Sequence, residues 1–183
     1  APLECKIDGT GGGDVNYPGF SAFFVMKSSD FTSRQFNGFL GSIVTAHANV
    51  ASGNYFRVEN AAGSAHSGTV FALNDSGGSD LALSNPVTWG GDSKFLIIVN
   101  FRANGDFYMY SHTAELLNDT SNFTSKIAGQ FQTLGSSQTY DGSAFTYHPY
   151  KDGRIYEFGA WERELTAAEI AIIQNDITNR HGL

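Results

Sequence analysis

The stretch Gly153-Arg154-Ile155-Tyr156-Glu157-Phe158-Gly159-Ala160-Trp161-Glu162-Arg163-Glu164-Leu165-Thr166-Ala167-Ala168-Glu169-Ile170 passes from a strand pattern into a helix pattern. Residues 154–161 form an apolar run of strand length. Thr166 is then placed to act as N-cap, with Glu169 three residues on to return the bond, which is a capping box. Leu165 and Ile170 take the N′ and N4 positions of a hydrophobic staple around that cap. Ile170, Ile173 and Ile177 continue at helical spacing and make one apolar stripe. Arg180 and His181 place positive charge at the C-terminal end of the helix dipole, and Gly182 suits a left-handed C-cap. The expected helix spans 166–181 and lies by its stripe on a neighbouring layer.

Upstream, apolar segments of strand length recur between turn clusters. They cover residues 3–7, 20–27, 36–45, 54–59, 68–73, 94–101, 106–111 and 131–135. Ala103-Asn104-Gly105-Asp106 is the clearest hairpin, with Asn-Gly expected in a two-residue type I′ turn. Residues 74–91, with Ser-Gly-Gly-Ser-Asp at 76–80 and Pro86, read as a long connection. Residues 1–19 read as a first strand and a glycine-rich arm. In that arm Asp14 stands where a G-x-G-x-x-G phosphate loop needs its third glycine, and a strand follows, not a helix. The expected fold is all-β, a two-sheet antiparallel sandwich of one domain over 1–183, closed by one C-terminal helix.

Composition agrees. Aromatics make 14% of the 183 residues and there are 21 glycines, a mixture that suits short strands, tight turns and an inter-sheet core. A chain of this length buries roughly 70% of its unfolded surface, enough for a core without staples. The net charge is −7, with 11 basic and 18 acidic residues and no basic cluster, which disfavours nucleic acid and anionic membranes as partners. No apolar run approaches the roughly 20 residues that span a bilayer. Ala1-Pro2 reads as a start left by initiator-Met removal, without a secretory signal. Cys5 is the only cysteine, so no intrachain disulfide forms.

The segment from Gly153 to Ile170 resembles the closing signature of laminin-G-like, concanavalin A-like domains. That signature runs glycine, a strand with an acidic residue in its middle, an aromatic, a basic residue, then leucine and a Ser/Thr-led helix. Here Glu157, Arg163 and Leu165 take the acidic, basic and leucine places. Residues 20–27 resemble the first core strand, 94–111 the long hairpin, and Gln132-Thr133-Leu134-Gly135 the strand ending in glycine before the signature. The resemblance implies a jelly roll of two antiparallel sheets. It implies a range of functions: glycan-binding lectins, cell-surface modules, accessory domains of polysaccharide-degrading enzymes, and virus and bacteriophage surface proteins.

Glycoside hydrolysis, found in one branch of this superfamily, needs two carboxylates about 5–9.5 Å apart. The Glu-x-Asp-x-x-Glu run of that branch is missing. Glu157, Glu162 and Glu164 come nearest, but the signature makes Glu157 a structural strand residue and puts the other two in the strand-to-helix turn. No G-x-S-x-G, His-Glu-x-x-His or Cys-x-x-Cys occurs, and His47, His66, His112, His148 and His181 show no ligand spacing. No catalytic residue is assigned and no cofactor is required. Calcium is the one metal the loops invite, through Asp75, Asp80, Asp119 and Asp141. Glycan contact is expected at loop aromatics: Trp89 beside Pro86 and Gly90, and Tyr147-His148-Pro149-Tyr150. The expected role is a non-catalytic structural and adhesive module at a virion surface or outside a cell, partnered by its own copies or by other virion proteins. A carbohydrate-binding lectin or enzyme accessory module is the alternative, and a glycoside hydrolase the remote one.

Overall fold

The computed structural model describes the backbone of residues 5–7, 19–28, 36–43, 55–60, 67–72, 87–88, 93–104, 106–120, 129–134, 136–140, 145–149 and 153–183. It describes the side chains of 19–27, 93–104, 106–118, 120 and 154–183. In chain order the strands are β1 Cys5–Ile7, β2 Phe20–Ser28, β3 Phe36–Ile43, β4 Tyr55–Asn60, β5 Ser67–Ala72, β6 Val87–Thr88 and β7 Lys94–Phe101. They continue as β8 Phe107–Tyr110, β9 Glu115–Asp119, β10 Gly129–Leu134, β11 Ser136–Tyr140, β12 Phe145–Pro149 and β13 Gly153–Trp161, and the helix α1 Ala167–His181 follows.

A five-stranded antiparallel sheet runs β13-β2-β7-β8-β9. Six further strands pair in the order β1-β10-β3-β4-β5-β6, and β11 pairs with β12. The chain is thus mostly β with one C-terminal helix, consistent with a β-sandwich.

The five-stranded sheet is buried on both faces at its centre. β2 sends Phe23 and Val25 to one face and Phe20, Ala22, Phe24 and Met26 to the other; all six are buried. Register then fixes the neighbours: Phe23 pairs with Ile98 and Val25 with Leu96, while Phe24 pairs with Ile97 and Met26 with Phe95. On the first face Leu165, Ile170 and Ile177 close over Phe23, Val25, Leu96 and Ile98 as one core cluster, with Tyr110, Trp161, Ile173 and Leu183 at its margin. The opposite face, including Phe107 and Met109, is equally dry. A sheet dry on both faces requires a layer on each side, and α1 supplies one of them.

The capping box forms as the spacing requires. Thr166 Oγ1 accepts from the Glu169 amide at 3.3 Å, and Glu169 Oε2 accepts from the Thr166 amide at 2.9 Å. Leu165 and Ile170 share the core cluster, as the staple predicts. Gly182 is left-handed at φ 67°, and its amide reaches the Thr178 carbonyl at 2.9 Å.

Several local expectations are corrected. The β7–β8 hairpin forms, but the Arg102 amide donates to the Asp106 carbonyl at 2.9 Å, so three residues turn instead of two. The Asn104 side chain drives this, accepting from the Asp106 amide at 3.0 Å in an Asx turn. Asp119, expected in a loop, belongs to β9, where it pairs with Phe107, and Asn118 beside it pairs with Tyr108. Tyr147 and His148 lie on β12, not on a loop, and pair with Gln138 and Ser137. The long connection after residue 73 contains β6.

One polar cluster sits inside this apolar frame. Asn100 and Ser21, adjacent in register and fully buried, meet the chain as it leaves β13 for α1. Asn100 Oδ1 accepts from the Leu165 amide at 2.9 Å, and its Nδ2 donates to the Leu165 carbonyl at 3.0 Å. The Ser21 hydroxyl has one proton and two acceptors in reach, Asn100 Oδ1 at 2.7 Å and the Arg163 carbonyl at 2.8 Å. Asn100→Ala leaves the Leu165 amide and carbonyl buried without partners. It is expected to lower stability by about 3 kcal/mol, read as a shift of the urea midpoint with unchanged slope. Thr178 Oγ1 is the reverse case, a buried hydroxyl without a partner among the described residues. Thr178→Val is therefore expected to be neutral or stabilising in the same assay.

Candidate functional site

Of the three carboxylates foreseen from the sequence, Glu157 is engaged in holding the helix. Glu157 stands on the helix side of β13, opposite Val25. Arg180 grips it bidentately, Nη1 to Oε2 at 2.7 Å and Nη2 to Oε1 at 2.9 Å, and His181 Nε2 lies 2.7 Å from Oε2. Asp176 braces the same guanidinium at 2.8–2.9 Å. The Arg180 hydrogen bonds, aided by His181, hold the Glu157 carboxyl well down, at about 2. At the other end of α1, Arg163 pairs with Glu169 at 2.6 and 3.0 Å, and Glu169 is also held at about 2, by Arg163 first and then by Thr166.

Glu162 and Glu164 are exposed beyond the far end of β13. At strand rise, five residues separate Glu157 from Glu162 by roughly 16 Å. A glycosidase pair needs about 5–9.5 Å and an acid with a raised pKa.

Among the described residues, no three of His, Cys, Asp and Glu gather closely enough to hold a metal. Asp75, Asp80 and Asp141 lie outside the described residues, as do Trp89 and Tyr150. Asp119, Tyr147 and His148 are placed by backbone only, on β9 and β12. The residues singled out for glycan or calcium are therefore not brought together by described geometry.

A surface that sequence reasoning passed over is described in full. β8 turns Phe107 and Met109 to the far face and Tyr108 and Tyr110 to the face that α1 partly covers. The two tyrosine rings stack at 10° with centroids 6.4 Å apart. Arg102, one residue past β7, lays its guanidinium 4.1 Å above the Tyr108 ring centroid. On β9, Asn118 is opposite Tyr108 and Glu115 opposite Tyr110, both exposed, with Asn118 Nδ2 donating to Glu115 Oε1 at 3.2 Å. Burial, with Glu115 nearby, pushes the Tyr110 phenol above its usual range. Gln174 of α1 borders the strip, donating to the Ser111 carbonyl at 2.6 Å. The signal in the sequence was the alternation Phe107-Tyr108-Met109-Tyr110, which puts both hydroxyl-bearing rings on one face.

Among the described residues, Glu157 and Glu169 make stability depend on acid. Both are depressed from 4.5 to about 2 in the folded chain, so their contribution is complete above about pH 4.5 and is lost as pH falls towards 2. Glu157→Gln is expected to flatten that loss, measured as unfolding midpoints between pH 2 and 6.

No protein-family model matches the chain, and no curated protein matches it in sequence. Solved structures do match it in shape. A heptameric SAP-like pentraxin from Limulus polyphemus aligns over 86% of this chain and 70% of its own, at 12% identity and a TM-score of 0.62. The binding domain of botulinum neurotoxin DC, solved with rat synaptotagmin II, aligns over 90% of this chain at 13% identity and a TM-score of 0.56. A botulinum neurotoxin type C structure, whose description concerns cell entry through two ganglioside molecules, aligns over 88% at 13% identity and 0.54. The chain spans 37% and 36% of those toxin chains. The likeness is one of fold: the chain shares the β-sandwich shape of a pentraxin over most of its length.

Proposed function

We propose that this chain is a non-catalytic binding module whose ligands are glycans, displayed in several copies on a virion or other extracellular surface. The observation that supports it best is the fold shared with a heptameric pentraxin and with toxin binding domains, one of them described through gangliosides. A jelly-roll sandwich gives such a module two rigid sheets and a set of loops on which to mount contacts. The carboxylates support the non-catalytic part. Glu157 and Glu169 are ionised and tied to arginines, so neither holds a proton to donate near neutrality. Multiple copies suit the role, since weak single sugar contacts gain avidity when repeated.

The test is a glycan array carrying neutral and acidic structures, probed with the purified chain, beside its molar mass by light scattering. Binding is expected, with an oligomer in solution. Trp89→Ala or Tyr150→Ala is expected to cost about 1 kcal/mol or more if those rings are a sugar platform. Unchanged affinity in both moves the contact elsewhere on the sandwich, and a blank array overturns the glycan reading. Reducing-end release that disappears in Glu157→Gln would overturn the non-catalytic one. Absence from purified particles, with only free monomer recovered, would overturn the virion setting.

A further inference from the structure

The Arg102–Tyr108–Tyr110 strip has unused hydrogen-bonding capacity. Among the described residues, no carboxylate lies within ion-pair reach of the Arg102 guanidinium, although acidic residues outnumber basic ones by 18 to 11. Arg163 and Arg180, in contrast, are each bidentate to a glutamate. Neither tyrosine hydroxyl has a hydrogen-bond partner among the described residues. Tyr108 is buried to 7% exposure and Tyr110 is half-buried, yet neither hydroxyl is sealed, since the one fully buried partnerless side-chain polar atom among the described residues is Thr178 Oγ1.

The geometry gives these groups a direction. A guanidinium lying flat on an aromatic ring keeps its N–H donors in its own plane, pointing past the ring edge. That fork matches a carboxylate in two parallel bonds. Beside it stand two phenol hydroxyls, each able to donate and accept, then the Asn118 amide and the Glu115 carboxylate, which only accepts. From one end to the other the strip therefore offers a cation, hydroxyls, an amide and an anion. The complementary ligand carries a carboxylate at one end and donating hydroxyls at the other.

We propose that this strip binds a carboxylate-bearing sugar unit, of the uronic or sialic acid class, with its carboxylate on Arg102 and its hydroxyls towards Asn118 and Glu115. The proposal rests on the glycan-binding reading and gives it a site on the sheet, separate from the loop aromatics. A polyanion fits poorly, since the strip holds one cation and ends in Glu115. All the groups are carried by two strands and by Arg102, which follows β7 and closes the hairpin turn with Asp106, so their spacing is set by sheet register.

The experiment uses immobilised oligosaccharides ending in sialic or uronic acid, the same oligosaccharides with the carboxyl reduced to an alcohol, and sulfated counterparts. Four proteins are compared: wild type, Arg102→Gln, Tyr108→Phe and Tyr110→Phe. The carboxylated forms are expected to bind at least about tenfold tighter than the reduced and sulfated ones, with Arg102→Gln losing about tenfold or more. Tyr108→Phe and Tyr110→Phe are expected to weaken binding several-fold while leaving the thermal midpoint in place, because each keeps its ring. If Arg102→Gln fails to fold, these two variants still decide the matter. Equal binding of reduced or sulfated forms, or unchanged affinity in the folded variants, overturns this strip and leaves glycan binding standing elsewhere. No binding to any glycan, acidic or neutral, overturns both.

Discussion

The structure depends on a buried amide. Asn100 sits near the end of β7, in a run otherwise made of Phe95, Leu96, Ile97, Ile98, Val99 and Phe101. An unpaired amide there would cost about 1–3 kcal/mol, so its presence demands partners. It finds them in the Leu165 backbone, the point where the chain leaves β13, crosses the sheet and enters α1. Ser21 secures the same crossing through the Arg163 carbonyl. Gly19 completes it: a Cβ at that position would meet the Phe101 carbonyl oxygen at 2.6 Å and the Glu164 amide at 2.8 Å, and its φ of 85° disfavours other residues. Backbone of three elements is thus drawn together around one side chain, and the height and direction of α1 over the sheet follow.

With its start fixed, α1 is held at its other end by charge. The Glu157 contacts with Arg180 and His181 are partly exposed, and exposed ion pairs contribute modestly on their own. Bidentate geometry and the shared brace of Asp176 make this one better ordered than most. Between the two ends, Ile170 and Ile177 supply the burial that makes the helix stable at fifteen residues. Each end of the helix thus has both a hydrogen-bonded cap and an ion pair, and apolar area holds the middle down.

How much of this was legible in the sequence depended on whether the cause was local. The capping box at Thr166 and Glu169, the staple and the Gly182 cap are all local, and all were readable. The apolar runs of β2 and β7 announced strands, since burial on both faces leaves continuous apolar stretches. The hairpin turn was misread because the Asn104 side chain bonds its own neighbour and lengthens the loop by one residue. β11 and β12 escape an apolar-run reading because neither carries an aliphatic residue, and β9 because Leu116 and Leu117 are adjacent between polar residues and show no alternation. Asn100 was the overlooked clue. A lone polar residue in an apolar strand signals a tertiary partner, but its partner lies 65 residues away.

The same reasoning explains why the candidate strip escaped notice. Aromatics beside Pro and Gly mark loops, where function usually sits, whereas Tyr108 and Tyr110 sit on a regular strand. What distinguishes them is α1, whose core cluster lies over β2 and β7 and meets β8 only through Tyr110 at its margin. One face of one sheet is therefore dry under the helix and opens to solvent beside it, at half-buried Tyr110 and exposed Asn118 and Glu115. Chain connectivity made that boundary: Asn100 fixes where the helix begins, and the residue opposite Asn100 on β8 is Tyr108. The interaction that secures the fold thus also sets the edge along which Arg102, Tyr108 and Tyr110 line up. A change at Asn100 that tilts α1 would move one wall of that edge and leave the register of its floor intact, because the floor is held by sheet hydrogen bonds alone.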